Sequence, residues 1–296
     1  MRSTMIRAMP WIFVLIWSTG FVVARLAMPH SPPFSFLTVR FALSAICFFG
    51  WIAIARAAWP VGRAQWGHLT VTGVLMQASY LGGVWSAVKA GIGAGTVALL
   101  VGLQPVLTAL WFTATMPREA RSGKAPRVTM REWLGLLLGF SGLAFVVWPK
   151  LGTGEVTPAN LALALVALLG ITIGTLYQKR YVAPCDVRSA SAVQMLAALV
   201  VSAPFALFER EAMDWHLNLV AAMAWSVGVL TLGGSSLLYL LIQRGEATAV
   251  SSLMYLVPPC TALMAWLLFG EAFTPLMTVG MALTVAGVAI VVRERR

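Results

Sequence analysis

The 296-residue chain is 59% hydrophobic and only 10% charged. Water-soluble domains carry roughly 25% charged residues, and the mean hydropathy here is +0.85. An ordinary soluble globule is thereby excluded, and the chain falls in the membrane class. A formal net charge of +11 does not point to nucleic acid, because the basic residues sit in short connectors and no basic stripe with interleaved aromatics lies outside the apolar runs.

A hydrocarbon core takes about 20 apolar residues as helix. Ten such segments follow one another, which predicts an all-α integral membrane protein. The first, 9–26, directly follows Arg2 and Arg7; Arg25 and the prolines after it supply no small-residue cleavage site, so it reads as a retained span rather than a signal peptide. Trp17 stands mid-span, away from the interface where tryptophan usually collects, and is expected on a cavity wall. The second, 34–55, carries Arg40 about two turns in. That guanidinium either attracts a substrate carboxylate, or snorkels outward and caps backbone carbonyls. The third, 67–88, sets Gln77 and Tyr80 three apart on one face; Trp85, further along, is expected in the interfacial belt. Gly91, Gly93 and Gly95 crowd the next connector and suit a tight turn.

The fourth segment, 95–116, contains Gln104 before Pro105, with Thr108 and Trp111 following at helical spacing. Proline in a span frees a carbonyl and kinks the helix, so Pro105 and its counterpart Pro258 are candidate kinks or gates. A basic connector, Pro117–Met130, leads to the fifth, 131–148. Gly135, Gly139 and Gly142 there, like Gly280 and Gly287 in the tenth, 274–292, form small faces for close helix contact. The sixth and seventh are 158–178 and 188–208. The eighth, 219–242, places Tyr239 four after Ser235, again on one face, and the ninth, 248–269, has Tyr255 just before Pro258.

The second five segments echo the first five. Gln104-Pro105-Val106-Leu107-Thr108-Ala109-Leu110 reappears as Val257-Pro258-Pro259-Cys260-Thr261-Ala262-Leu263, and Gly135 and Gly142 reappear as Gly280 and Gly287. Five is odd, so the second copy enters the membrane from the opposite side. The expected domains are residues 1–152 and an inverted repeat, 153–296, the architecture of a secondary transporter with its site between the halves. With the N-terminus inside, sixteen basic residues lie in inner connectors and three (Lys89, Lys150 and Arg210) in outer ones. This bias puts both termini in the cytoplasm.

Trp17-Ser18-Thr19-Gly20-Phe21, Arg40-Phe41, Pro105, Pro258 and Gly270-Glu271, in that order across ten spans, resemble the EamA-type branch of the drug/metabolite transporter superfamily. The resemblance covers nearly the whole chain. It implies two five-helix repeats and movement of amino acids, nucleosides or other small metabolites, often outward. Small multidrug exporters of the same superfamily use a glutamate in their first helix, which Trp11–Ala24 lacks.

The expected substrate contacts are Trp17, Arg40, Gln77, Tyr80 and Gln104 in the first half and Tyr239 and Tyr255 in the second, where amides and phenols bond a zwitterion and aromatic faces take its side chain. The alternative for the glutamines and tyrosines is interhelical hydrogen bonding. No Asp, Glu or His falls near the middle of a span, although a proton relay normally uses such groups. A facilitator or exchanger of neutral, zwitterionic or anionic metabolites fits better, with coupling through Glu271 left open. A lipid-modifying enzyme needs convergent acid/base or metal-binding residues, and His30, His68 and His216 have no paired spacing. No catalytic residue, metal or cofactor is expected. The expected partners are a small-molecule substrate and the bilayer of the inner (cytoplasmic) membrane, not nucleic acid. The expected state is a monomer, with a dimer as the alternative.

Overall fold

The computed structural model describes residues 2–104, 106–108, 111, 130–234, 237, 256–271 and 274–293. Among these there is no strand, and the chain is a bundle of apolar helices. Helix α1 is Arg2–Ala27 and α2 is Pro33–Ala55. A single rod then runs as α3 (Arg63–Gly73), a π-helical stretch (Val74–Ser79) and α4 (Tyr80–Lys89). The tight Gly91 turn, with φ +99°, leads into α5 (Ala94–Val101). Helices α6 (Met130–Gly152), α7 (Pro158–Tyr181) and α8 (Val187–Phe208) follow. Helix α9 (Leu217–Ala224) continues as a second π-helical stretch, Trp225–Gly233. The last two are α10 (Val257–Phe269) and α11 (Pro275–Arg293).

Among the described residues, four helices are long and apolar enough to cross a bilayer: Pro33–Ala55, Trp133–Gly152, Pro158–Tyr181 and Val187–Phe208. Their ends lie within a few residues of the segments expected from hydropathy. Ile54, Trp148, Leu207 and Phe208 are among many large apolar side chains left exposed on the bundle. In water that surface would aggregate; in lipid it is solvated.

Glycines decide which helices meet closely, since a missing side chain lets backbones approach. A Cβ on Gly287 in α11 would lie 2.5 Å from the Gly135 carbonyl oxygen of α6, and Gly142 and Gly280 face each other in the same way. The expected small faces of these two segments are therefore in contact with each other. Gly83 of the rod abuts the Leu163 backbone of α7, and Gly170 of α7 lies against Leu75, Ser79 and Tyr80, so α7 packs along the π-helical stretch. Helix α2 packs chiefly on α8, and α5 on α10.

At one end of the bundle, carboxylates cap helices that have no cap of their own. The first N–H groups of a helix lack intrahelical partners and attract negative charge. Pro32 cannot cap α2 with a side chain, and Glu209, just past α8, accepts from Phe34 N (2.9 Å), Ser35 N (2.7 Å) and Ser35 Oγ (2.8 Å). Glu271, past α10, accepts from Ala94 N at 3.0 Å at the start of α5, with Arg25 Nε 3.9 Å away. Glu155 accepts from Gly93 N (3.2 Å) and Lys150 Nζ (2.6 Å).

Candidate functional site

A cavity of about 110 Å³ lies between α1, α2, the α3–α4 rod, α7, α8 and the π-helical stretch after α9. Helix α1 contributes Trp17, Gly20 and Phe21. The same motif also braces the helix: Ser18 donates to Val14 O (2.7 Å), its own carbonyl accepts from Thr261 (3.1 Å), and Thr19 accepts from Trp225 Nε1 (2.9 Å). One face of the motif thus meets the cavity, while the Ser18 carbonyl ties α1 to α10 and the Thr19 hydroxyl ties it to the π-helical stretch after α9.

Both π-helical stretches deliver residues to the lining: Met76 and Gln77 from the first, Leu230 and Thr231 from the second. Tyr80 follows the first stretch directly. A π-turn holds an extra residue and rotates everything beyond it about the helix axis, which is why such turns recur at functional sites. Thr231 reinforces the second one: its hydroxyl donates to Ser226 O, five residues back, at 2.8 Å.

Arg40 reaches this cavity from α2 and is 7% exposed. Its Nη2 donates to Thr231 Oγ1 at 3.2 Å, its Cζ lies 6.0 Å from the centre of the Trp85 ring, and its Nε is buried without a hydrogen-bond partner. The side chain points into the bundle rather than snorkelling out. None of the ion pairs among the described residues includes it; they join Arg25 to Glu271, His30 to Asp214, Lys89 to Glu211, Lys150 to Glu155 and Arg188 to Asp186.

Of the residues expected at the site, Trp17, Arg40, Gln77 and Tyr80 come together here. Gln104 lies outside the lining: its amide donates to Thr175 Oγ1 of α7 at 3.0 Å, the interhelical role. Tyr239, Tyr255 and Pro105 fall outside the described residues. Pro258 stands in the first turn of α10, packed where a Cβ on Gly102 would meet it. Trp85 corrects the belt expectation. It is 1% exposed, stacks on Phe36 with centroids 4.3 Å apart, and lines the cavity. Thr231, Met195 and Ile171 were not expected at the site. A hydroxyl in mid-span was the available signal for Thr231; the methionine and isoleucine carry none.

Fold and cavity together define a multi-pass helical membrane protein with an internal chamber. The chain belongs to the EamA-like transporter family, whose profile matches residues 8–148 and 159–293. It is 23% identical to a Salmonella typhimurium protein named "Probable amino-acid metabolite efflux pump", over 94% of this chain and 92% of that one. It is 25% identical to the "Uncharacterized inner membrane transporter YedA" of Escherichia coli K12, over 94% and 87%, and 22% identical to the "Uncharacterized transporter YvbV" of Bacillus subtilis, over 94% and 88%. A solved crystal structure shares the fold, with a TM-score of 0.65 at 21% identity over 97% of this chain and 98% of that one. The protein is a membrane transporter of the drug/metabolite type.

Proposed function

We propose that the protein is a secondary transporter of small metabolites, amino acids foremost, that works by alternating access around the Arg40–Gln77–Tyr80 cavity in the inner membrane. The observation that carries this reading is the composition of the cavity wall: α1, α2 and the α3–α4 rod contribute from the first half of the chain, and α7, α8 and the Trp225–Gly233 stretch from the second. A site shared by two halves changes access when the halves rock. The proposed halves are residues 1–152 and 153–296, ten spans in all, inverted, with cytoplasmic termini. Matched π-helical stretches in the third and eighth spans support the repeat, as do the pairings of the second span with the seventh, the fourth with the ninth and the fifth with the tenth. The Salmonella relative's printed name supports amino acids as substrates. In this reading Arg40 receives the carboxylate, Gln77 and Tyr80 bond the polar end, and Trp17 and Trp85 hold the side chain.

The aromatic walls also suit a stacked base, and a nucleoside is the second reading. Counterflow into proteoliposomes preloaded with mixed amino acids tests the first. Saturable entry of a labelled neutral or aromatic amino acid, weakened in Gln77→Ala and Tyr80→Phe proteins that insert normally, is expected. Entry of labelled nucleoside alone, from a nucleoside-loaded lumen, would replace the amino-acid reading. Wild-type rates in both variants would remove those two side chains from the site.

A further inference from the structure

We infer that the cavity selects substrates with net negative charge, a carboxylate lacking a compensating ammonium as in a 2-oxo acid or an N-acylated amino acid, over zwitterions of the same skeleton. The inference rests on the reading of this cavity as the transport site, and it refines the substrate class given there: amino acids still enter, and their anionic analogues are preferred.

The charge pattern of the wall carries the inference. Arg40 is the cation of the described lining, and no carboxylate accompanies it there. Its neighbours are a hydroxyl, a phenol, an amide, thioethers and aromatic faces. The chain has ten Asp and Glu residues, and by sequence none stands near the middle of an expected span. A buried cation without a counter-charge is costly, and among the described residues Arg40 meets a neutral hydroxyl and a ring face.

The hydrogen-bond directions sharpen the point. Thr231 gives its one proton to Ser226 O, so towards Arg40 it acts only as an acceptor and occupies one of the guanidinium's N–H groups. The Nε has no hydrogen-bond partner either, so the guanidinium keeps unused donors of the kind that bind a carboxylate. A ligand carboxylate supplies the missing counter-charge. The ammonium of a zwitterion brings a second positive charge near Arg40, in a site where the described wall holds no anion to receive it. Like charges at short range in a low-dielectric cavity repel strongly.

The test is competitive counterflow in proteoliposomes of the whole wild-type protein. One set is preloaded with mixed amino acids of aliphatic and aromatic skeletons, the other with the corresponding 2-oxo acids, and labelled members of each pool are supplied outside. Amino-acid amides, which are cations, serve as a third competitor. We expect the 2-oxo acids to half-saturate exchange at a concentration about tenfold lower than the amino acids, the factor that one partly screened charge pair provides, with the amides failing to compete. Arg40→Gln should erase the preference, while the wild-type comparison decides the matter without any variant. Equal or better exchange of the zwitterions would overturn the inference and leave the transporter reading standing. No saturable exchange of any probe, with folded protein in the vesicles, would overturn both.

Discussion

Replacing Glu209 by alanine removes the side-chain cap seen among the described residues at the start of α2, and the consequence is measurable in both stability and transport. Glu209 accepts two backbone N–H bonds and one hydroxyl bond, all between 2.7 and 2.9 Å. A hydrogen bond to a charged group contributes about 1.5–3 kcal/mol net, yet three on one carboxylate are not additive, and water partly replaces them at a half-buried site. Loss of a good helix cap costs about 0.5–2 kcal/mol, and the carboxylate's attraction to the helix N-terminus adds about 0.3–1 kcal/mol. The expected destabilisation is about 2 kcal/mol, roughly halved in Glu209→Gln, which keeps an acceptor oxygen but loses the charge. Thermal unfolding in detergent, with wild type and both variants side by side, reads the order wild type, Gln, Ala. Because Arg40 lies about two turns along the same helix, counterflow should also show a raised half-saturating concentration in Glu209→Ala. An alanine variant that melts with wild type would show that the clamp contributes nothing and that α2 is held by its packing on α8 alone.

Gly287→Ala should destabilise by about 1–3 kcal/mol, the usual range for overpacking, because the new methyl would meet backbone atoms of α6 at 2.5 and 2.8 Å. Gly50→Ala, with nothing within 4 Å, should be neutral or gain up to about 1 kcal/mol of helix propensity; melting curves separate the two. Asp186 caps α8 and is paired with Arg188, whose hydrogen bond holds its carboxyl below the ordinary value of 3.8. A depressed pKa means stability that is fully present above that ordinary value and lost as the pH falls below it. Asp186→Asn should therefore melt below wild type at neutral pH, with the gap closing as the pH drops through and beneath 3.8.

Hydropathy and composition determined that this chain is helical and lives in a membrane, because burial of a span in lipid depends on local composition and needs no partner. The order of short motifs likewise disclosed the transporter family, and the rarity of polar groups in spans singled out Arg40, Gln77 and Tyr80. Which of those groups share a chamber was decided by tertiary structure. A helix can be rotated about its axis at no cost in hydropathy, so its phase is set by what it packs against. Glycine contacts such as Gly170 against Leu75 and Tyr80 set that phase for the third span. The two π-helical stretches shift it further, by an amount no periodicity reveals. That is why Trp85, near a span's end and apparently suited to the interface, turns inward onto Phe36 and Arg40. For the same reason Gln104, polar and beside a proline, turns away to Thr175. Glu209 and Glu271 read in sequence as ordinary connector acids; only folding brings them onto the open ends of α2 and α5, where the unpaired N–H groups lie.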